Sequence, residues 1–272
     1  MRILFVADIY AKPGRRVASE VIPRLINERA VDFCIVNGEN AAGGFGLTDN
    51  LAKKIFSYGA DVITSGNHIW NRADFMPFLR SPAPVLRPFN YPSEAPGKGS
   101  IVLPSRSGTK VGVVNLQGRT FMSTTDCPFK AGRSEVQRLR QETPIVFVDF
   151  HAEATAEKVS MGWHLDGLAS AVIGTHTHIQ TADERILPGG TAYLTDAGMT
   201  GTPDSVIGTR ADIAVQRFIS QVPARFKPAD GIGVLCGALV DVDEAGGRAT
   251  AIERLQLAES AQSASAEDDD SE

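Results

Sequence analysis

Cysteine is scarce: Cys34, Cys127 and Cys236 are the three in a chain of 272 residues. No two are spaced as C-x-x-C, so zinc-ribbon and thioredoxin-type sites are disfavoured, and three thiols cannot form a full disulfide framework. Cys34 and Cys236 lie in strand-like runs (DFCIVN and GVLCGALV), where a thiol serves as a small apolar side chain. A reducing, cytoplasmic setting is expected. Long apolar runs are also missing. None approaches the roughly 20 residues that span a bilayer, so no membrane partner is expected. The N-terminal MRILFVADIY lacks a basic segment, apolar stretch and cleavage site in series, and reads as a first strand rather than a signal peptide.

A surplus of positive charge is absent too. The net charge is −5, with 27 basic and 32 acidic residues. Six of the acids lie in the last fifteen positions, AESAQSASAEDDDSE, which leaves 26 acids against 27 bases and a body charge of +1. The body therefore offers no strong electrostatic case for a nucleic acid polymer. Residues 258–272 lack the apolar content to fold and read as an acidic, disordered tail. Residues 1–257 read as one domain.

What is present is ordinary for a globular chain: 43% apolar and 22% charged residues, with 26 Gly and 15 Pro. Strands are expected at 2–7, 33–37, 61–64, 111–116, 145–150, 171–173 and 192–194. A closing hairpin is expected from 232–242 and 250–257. Helices are expected from Gly14 to Arg29 with a break at Pro23, from Thr48 (as cap) to Ser57, and from Ala154 to His164. Strands and helices alternate early and strands dominate later, which predicts a layered α/β domain with a mixed sheet.

Polar residues recur at the carboxyl ends of successive strands: Asp8, Glu39-Asn40, Asn67-His68, His151, and His176-Thr177-His178. Ligands of open α/β sheets bind outside those ends, because the loops converge there. A single strand-end aspartate or asparagine is usually a turn or cap residue. His176 and His178 are a stronger signal, since alternate residues of a strand face the same way. The five sites together form a mixed nitrogen and oxygen donor set suited to manganese, iron or zinc. About seven ligands exceed the needs of one ion, so a two-metal site with a bridging carboxylate is the economical reading.

This series resembles that of the calcineurin-like metallophosphoesterases, whose motifs run DxH, GD, GNH, H and GHxH. Two positions depart from it. Asp8-Ile9-Tyr10 has tyrosine where histidine is usual, and Glu39 stands in for aspartate. Both departures, with NGENAAGGFGLT, SGNHIWN, NLQGRTFM, DFHAEATAEK and GTHTHIQTADERILPGGTAYLTDAGMTG, are similar to the YmdB-like bacterial phosphodiesterases over residues 1 to about 257. The resemblance implies a four-layer α/β sandwich, mixed sheets flanked by helices. It implies two iron or manganese ions, one on Asp8, Asn40 and His178, the other on Asn67, His151 and His176, bridged by Glu39. Asn40 is expected to take the place left by the missing histidine.

The implied activity is hydrolysis of cyclic nucleotides by metal-activated hydroxide attacking phosphorus, with 2′,3′-cyclic substrates favoured over 3′,5′-cyclic AMP. His68 is expected to face the substrate as general acid. The loops 120–133 and 199–210 are expected to shape the pocket. Phe121, Met122 and Phe129 are candidates to stack on a base, though such residues more often anchor a loop. A slow nucleotide-sensing regulator, a phosphomonoesterase and a nuclease are the alternatives. A homo-oligomer is compatible with the sequence.

Overall fold

The structure, a computed structural model, describes residues 1–260. The chain begins with β1 (Arg2–Val6), β2 (Asp8–Ile9), α1 (Ala11–Glu28), β3 (Phe33–Asn37), α2 (Asp49–Ser57), β4 (Val62–Thr64) and the short α3 (Met76–Leu79). It continues through β5 (Ser100–Pro104), β6 (Lys110–Gln117), α4 (Pro128–Leu139), β7 (Val146–His151), α5 (Thr155–Leu165) and β8 (Ala171–Thr175). It closes with β9 (Arg185–Ile186), β10 (Ala192–Leu194), β11 (Met199–Thr200), α6 (Ala211–Ser220), β12 (Val234–Val242) and β13 (Ala249–Ala258).

Two mixed sheets stack face to face. One has the order β13-β12-β1-β3-β4, the other β5-β6-β7-β8-β10-β9. Alternation along each strand sends side chains to two different layers. In β1, Leu4 and Val6 pack against Val17, Val21 and Ile22 of α1 and Ile55 of α2. Ile3 and Phe5 of the same strand face Val113, Phe147 and Ile173 between the sheets. Beyond the second sheet, Val148 and Phe150 meet Leu139 of α4 and Met161 and Leu165 of α5. The result is the four-layer α/β sandwich that the motif series implied.

Several boundaries differ from the sequence reading. Helix α1 starts at Ala11 and passes through Pro23 without ending. Val17, Val21 and Ile22 before the proline and Leu25 after it are all buried. Each contributes about 1.5–3 kcal/mol, together more than the ~3 kcal/mol of an interior proline. Thr48 caps α2, its Oγ1 accepting from the Leu51 amide at 3.4 Å. Seven elements were not anticipated: the two-residue strands β2, β9 and β11, the four-residue α3, and the longer β5, α4 and α6. The edge strand β5 is half-buried. Helix α4 buries few apolar side chains, Val136 and Leu139 among them. Helix α6 buries only Ala214. None presents the apolar periodicity by which sequence reveals an element.

At the C-terminus β13 continues to Ala258, and the side chain of Glu259 is fully buried against Arg16. The fold therefore extends into the segment assigned to the acidic tail. The remainder of that segment, 261–272, lies outside the described residues. Among the described residues no helix is long and apolar enough to cross a membrane.

Candidate metal centre

The site forms where the carboxyl ends of strands from both sheets meet. Asp8 opens β2 directly after β1, and pairs with Met199 of β11. Glu39 and Asn40 follow β3, Asn67 and His68 sit in the 3-10 turn Asn67–Trp70 after β4, His151 ends β7, and His176 and His178 follow β8. Strands β1, β3 and β4 run parallel in one sheet and β7 and β8 in the other. All eight predicted residues converge. His151 Nε2 lies 3.0 Å from Glu39 Oε1, 3.1 Å from Asn67 Oδ1 and 3.0 Å from His176 Nδ1. His178 Nε2 lies 3.4 Å from Asp8 Oδ2 and 3.0 Å from the Asn40 amide, which lies 3.4 Å from Glu39 Oε1.

Donor atoms this crowded need something between them. Glu39, His151 and His176 each bring one ligand atom within 4.8 Å of the others. Asp8 Oδ1 and Asn40 Oδ1 are buried without a hydrogen-bond partner. Buried acceptors are normally satisfied, and an orphaned carboxylate oxygen is especially costly. A cation answers both orphans, since turning the Asn40 amide presents its oxygen to His178 and Glu39. The donor set, carboxylate and amide oxygens with imidazole nitrogens, fits iron or manganese. Gly66 keeps the space open: a Cβ there would stand 2.2 Å from His151 Nε2 and 2.4 Å from Glu39 Oε2.

A second set of contacts aims the ligands. His151 Nδ1 meets Thr175 Oγ1 at 2.9 Å, and that hydroxyl donates to Asp149 Oδ1 at 2.7 Å. Asn37 donates to the other Asp149 oxygen at 3.0 Å. With Nδ1 carrying the proton, Nε2 is left to bind. His178 Nδ1 donates to the Ile207 carbonyl at 3.0 Å, which frees its Nε2 likewise. His176 and His178 hold φ of 100° and 65°, and Ile207 holds 47°. Such conformations are strained for side-chain-bearing residues and persist where surroundings over-determine them. The loop is fixed by Asp196, whose Oδ2 accepts from Thr177 N at 3.2 Å and Oγ1 at 2.7 Å and is ion-paired with buried Lys158.

The charges are strongly interlocked. Burial favours neutral Glu39, but His151 and the other imidazoles outweigh it and hold the carboxyl at about 2. Burial also opposes a charged His151, yet Glu39, Asp8 and Asp149 push it up to about 9. His176 is lowered to about 3 by burial and then by His151. Burial raises Asp149 to about 7.

Beside the cluster opens a cavity of about 280 Å³, walled by Tyr10, Gly44, Phe45, His68, Glu153, Ile207, Thr209 and Phe226 among others. The His68 ring stands edge-on to Phe45, centroids 5.0 Å apart. Tyr10, at the position expected to hold histidine, turns its hydroxyl to Thr209 at 3.3 Å and its ring edge toward His178. Gly44 (φ 93°) lies against that ring, where a Cβ would meet the hydroxyl at 2.7 Å. The loop 199–210 supplies Ile207 and Thr209. The loop 120–133 does not line this cavity: Phe121 is 90% exposed, Phe129 packs on the outer core, and Pro128 onward is α4. Sequence reasoning missed Phe45, Glu153 and Phe226. Glu153, 3.2 Å from His176 Nε2, lies two residues beyond His151, the one signal that pointed to it.

The profile of the YmdB-like protein family matches residues 4–255. The chain belongs to the YmdB-like family. A relative in Bacillus subtilis (strain 168), a 2′,3′-cyclic-nucleotide 2′-phosphodiesterase, is 45% identical over 257 residues, 94% of this chain and 97% of its own. A crystal structure of a hypothetical protein from Thermus thermophilus matches with a TM-score of 0.88 at 40% identity, covering 96% of this chain and all of that one. That of a novel phosphatase from Mycoplasma pneumoniae matches with a TM-score of 0.89 at 28% identity, covering 98% and 97%. Two of these three similar proteins carry names of phosphoester-cleaving enzymes, the class that the motif series implied.

Proposed function

We propose that this protein is a metal-dependent phosphodiesterase that hydrolyses 2′,3′-cyclic nucleotides. The observation that carries the reading is the pair of orphaned buried oxygens, on Asp8 and Asn40, inside a ring of imidazoles at the mouth of a nucleotide-sized cavity. The Bacillus subtilis relative's name supports the substrate class. Asp8, Asn40 and His178 would hold one ion, Asn67, His151 and His176 the other, and Glu39 both, with iron or manganese as the occupants. Such a pair supplies charge to neutralise the phosphoryl oxygens and to lower the pKa of a water.

The chain's own side chains do the rest. Thr175 with Asp149, and the Ile207 carbonyl, keep His151 and His178 in the tautomer that exposes Nε2. Phe45 and Phe226 wall the cavity and offer faces for a base. Water attacks phosphorus, the bond to ribose O2′ breaks, and the His68 imidazole gives its proton to that leaving oxygen. The product is a nucleoside 3′-phosphate. Three free thiols, two of them buried, suit a cytoplasmic enzyme.

The test is turnover by metal-loaded protein on 2′,3′-cyclic AMP, 3′,5′-cyclic AMP, a phosphate monoester and RNA without a cyclic end. The 2′,3′-cyclic nucleotide is expected to be hydrolysed most efficiently, to the 3′-phosphate. A preference for the monoester or for internal RNA linkages refutes the reading.

A further inference from the structure

A second cavity of about 530 Å³ adjoins the first and shares two walls with it, Phe45 and Phe226. Its other lining is Gly43, Arg225, Lys227 and Pro228. Neither the Arg225 guanidinium nor the Lys227 ammonium is ion-paired among the described residues, and both residues are exposed. From Ile213 to Ala229 the chain carries Arg217, Arg225 and Lys227 and not a single acid. Aromatic residues alternate with these cations. Phe218 follows Arg217 and is 82% exposed, and Phe226 stands between Arg225 and Lys227. The Arg217 guanidinium lies 4.6 Å from the Phe226 ring centroid.

Unpaired cations interleaved with accessible aromatic faces are the chemistry that binds a single nucleic acid strand, charge for phosphates and rings for bases. The near-neutral body as a whole does not show this, because the excess of bases over acids is local to this segment, which sets Arg225 and Lys227 in the wall of the second cavity. The first cavity alone, at about 280 Å³, sits at the lower edge of the roughly 300–1,000 Å³ typical of ligand pockets. A ligand that filled both would run from the metal centre past Phe45 and Phe226 to Arg225 and Lys227.

We infer that the second cavity receives the phosphate and nucleoside on the 5′ side of the cyclic nucleotide, and that the preferred substrate is an oligoribonucleotide ending in a 2′,3′-cyclic phosphate. This rests on the phosphodiesterase reading above and extends its substrate from a free nucleotide to an RNA end. No further chemistry is needed: the same P–O2′ bond opens, and the product is an RNA 3′-phosphate.

Three substrates sharing the reacting group decide it: 2′,3′-cyclic AMP with a free 5′-hydroxyl, its 5′-phosphorylated form, and the dinucleotide ApA with a terminal 2′,3′-cyclic phosphate. For the metal-loaded protein, kcat/KM on the second and third is expected to exceed that on the first by about tenfold or more. The excess is expected to shrink as salt is raised. In the double variant R225A/K227A the ratio of dinucleotide to mononucleotide efficiency is expected to fall toward one. Because the readout is a ratio measured on one protein sample, a general loss of folding does not imitate it. Equal efficiencies in the wild type, or a ratio unmoved by R225A/K227A, overturn this inference and leave the phosphodiesterase reading standing. Cleavage of none of the three overturns both.

Discussion

At the scale of single residues, His68 and Glu39 carry the sharpest expectations. His68 touches the cluster through its backbone, its amide donating to Glu39 Oε2 at 3.2 Å, while its ring lines the cavity. His68→Ala is therefore expected to lower kcat by about 10²–10⁴-fold with the metal content intact. The loss should shrink on a nitrophenyl phosphodiester, whose leaving group departs without a proton. Equal losses on the two substrates would assign His68 to phosphate positioning instead. Glu39→Gln removes the buried negative charge facing three imidazoles. Turnover is expected to drop by more than about 100-fold, the upper range for partners that merely support a ligand, and elemental analysis should find metal missing. Retention of both ions with full turnover would exclude Glu39 as the bridge.

At the scale of elements, the two histidines after β8 depend on other segments for their backbone shape. Thr177 between them is clamped by Asp196, and His178 is aimed by the loop before α6. A comparable clamp closes the fold at the end of β13. Arg16 of α1 meets both carboxylate oxygens of Glu259, at 2.8 and 2.6 Å, and the Gly233 amide donates to the same side chain. The Glu259 side chain is 0% exposed and that of Arg16 13%. Removing one partner of a fully buried pair costs about 3–5 kcal/mol, and the partial access of Arg16 to water reduces this. Glu259→Ala is thus expected to destabilise by about 1–3 kcal/mol in urea unfolding. A change below about 0.5 kcal/mol, the range of ordinary surface substitutions, would remove Glu259 from the fold's supports.

At the scale of the whole molecule, the candidate metal centre would tie one sheet to the other, since Asp8, Glu39 and Asn67 follow β1, β3 and β4 of the first, while His151 ends β7 and His176 follows β8 of the second. About two metal ions per chain are expected on elemental analysis. Chelation should lower the melting temperature as well as abolish turnover, because a ligand at 100 times its Kd stabilises the native state by about 2.7 kcal/mol. The pH dependence has a definite sign. In the metal-free protein His151 is pushed up to about 9 by Glu39, Asp8 and Asp149, so it carries a proton at neutral pH, and His178 is shifted in the same direction by Asp8. Ligation requires that proton to leave. Metal uptake is therefore expected to tighten as pH rises toward about 9 and to release protons at pH 7. Calorimetry in two buffers of different ionisation enthalpy measures the release, and a value of zero would contradict these shifts.

The sequence by itself determined most of the longer strands, because their apolar runs are short and fully buried, and it pointed to the side chains that converge at the candidate site, because polar residues recur at each strand end. Asp8, Glu39, Asn40, Asn67, His68, His151, His176 and His178 were all legible in this way. The limits of α1 were not, since the break expected at Pro23 is a local preference and the burial of Val21, Ile22 and Leu25 exceeds it. Helices α4 and α6 were hidden by the sparseness of their buried faces. The walls of the cavity were hidden for a different reason. Phe45, Glu153 and Phe226 lie in loops far apart in the chain, and no spacing rule brings them together. Only the stacking of the two sheets decides that they share one opening, and only the positive φ at Ile207 turns its carbonyl onto His178.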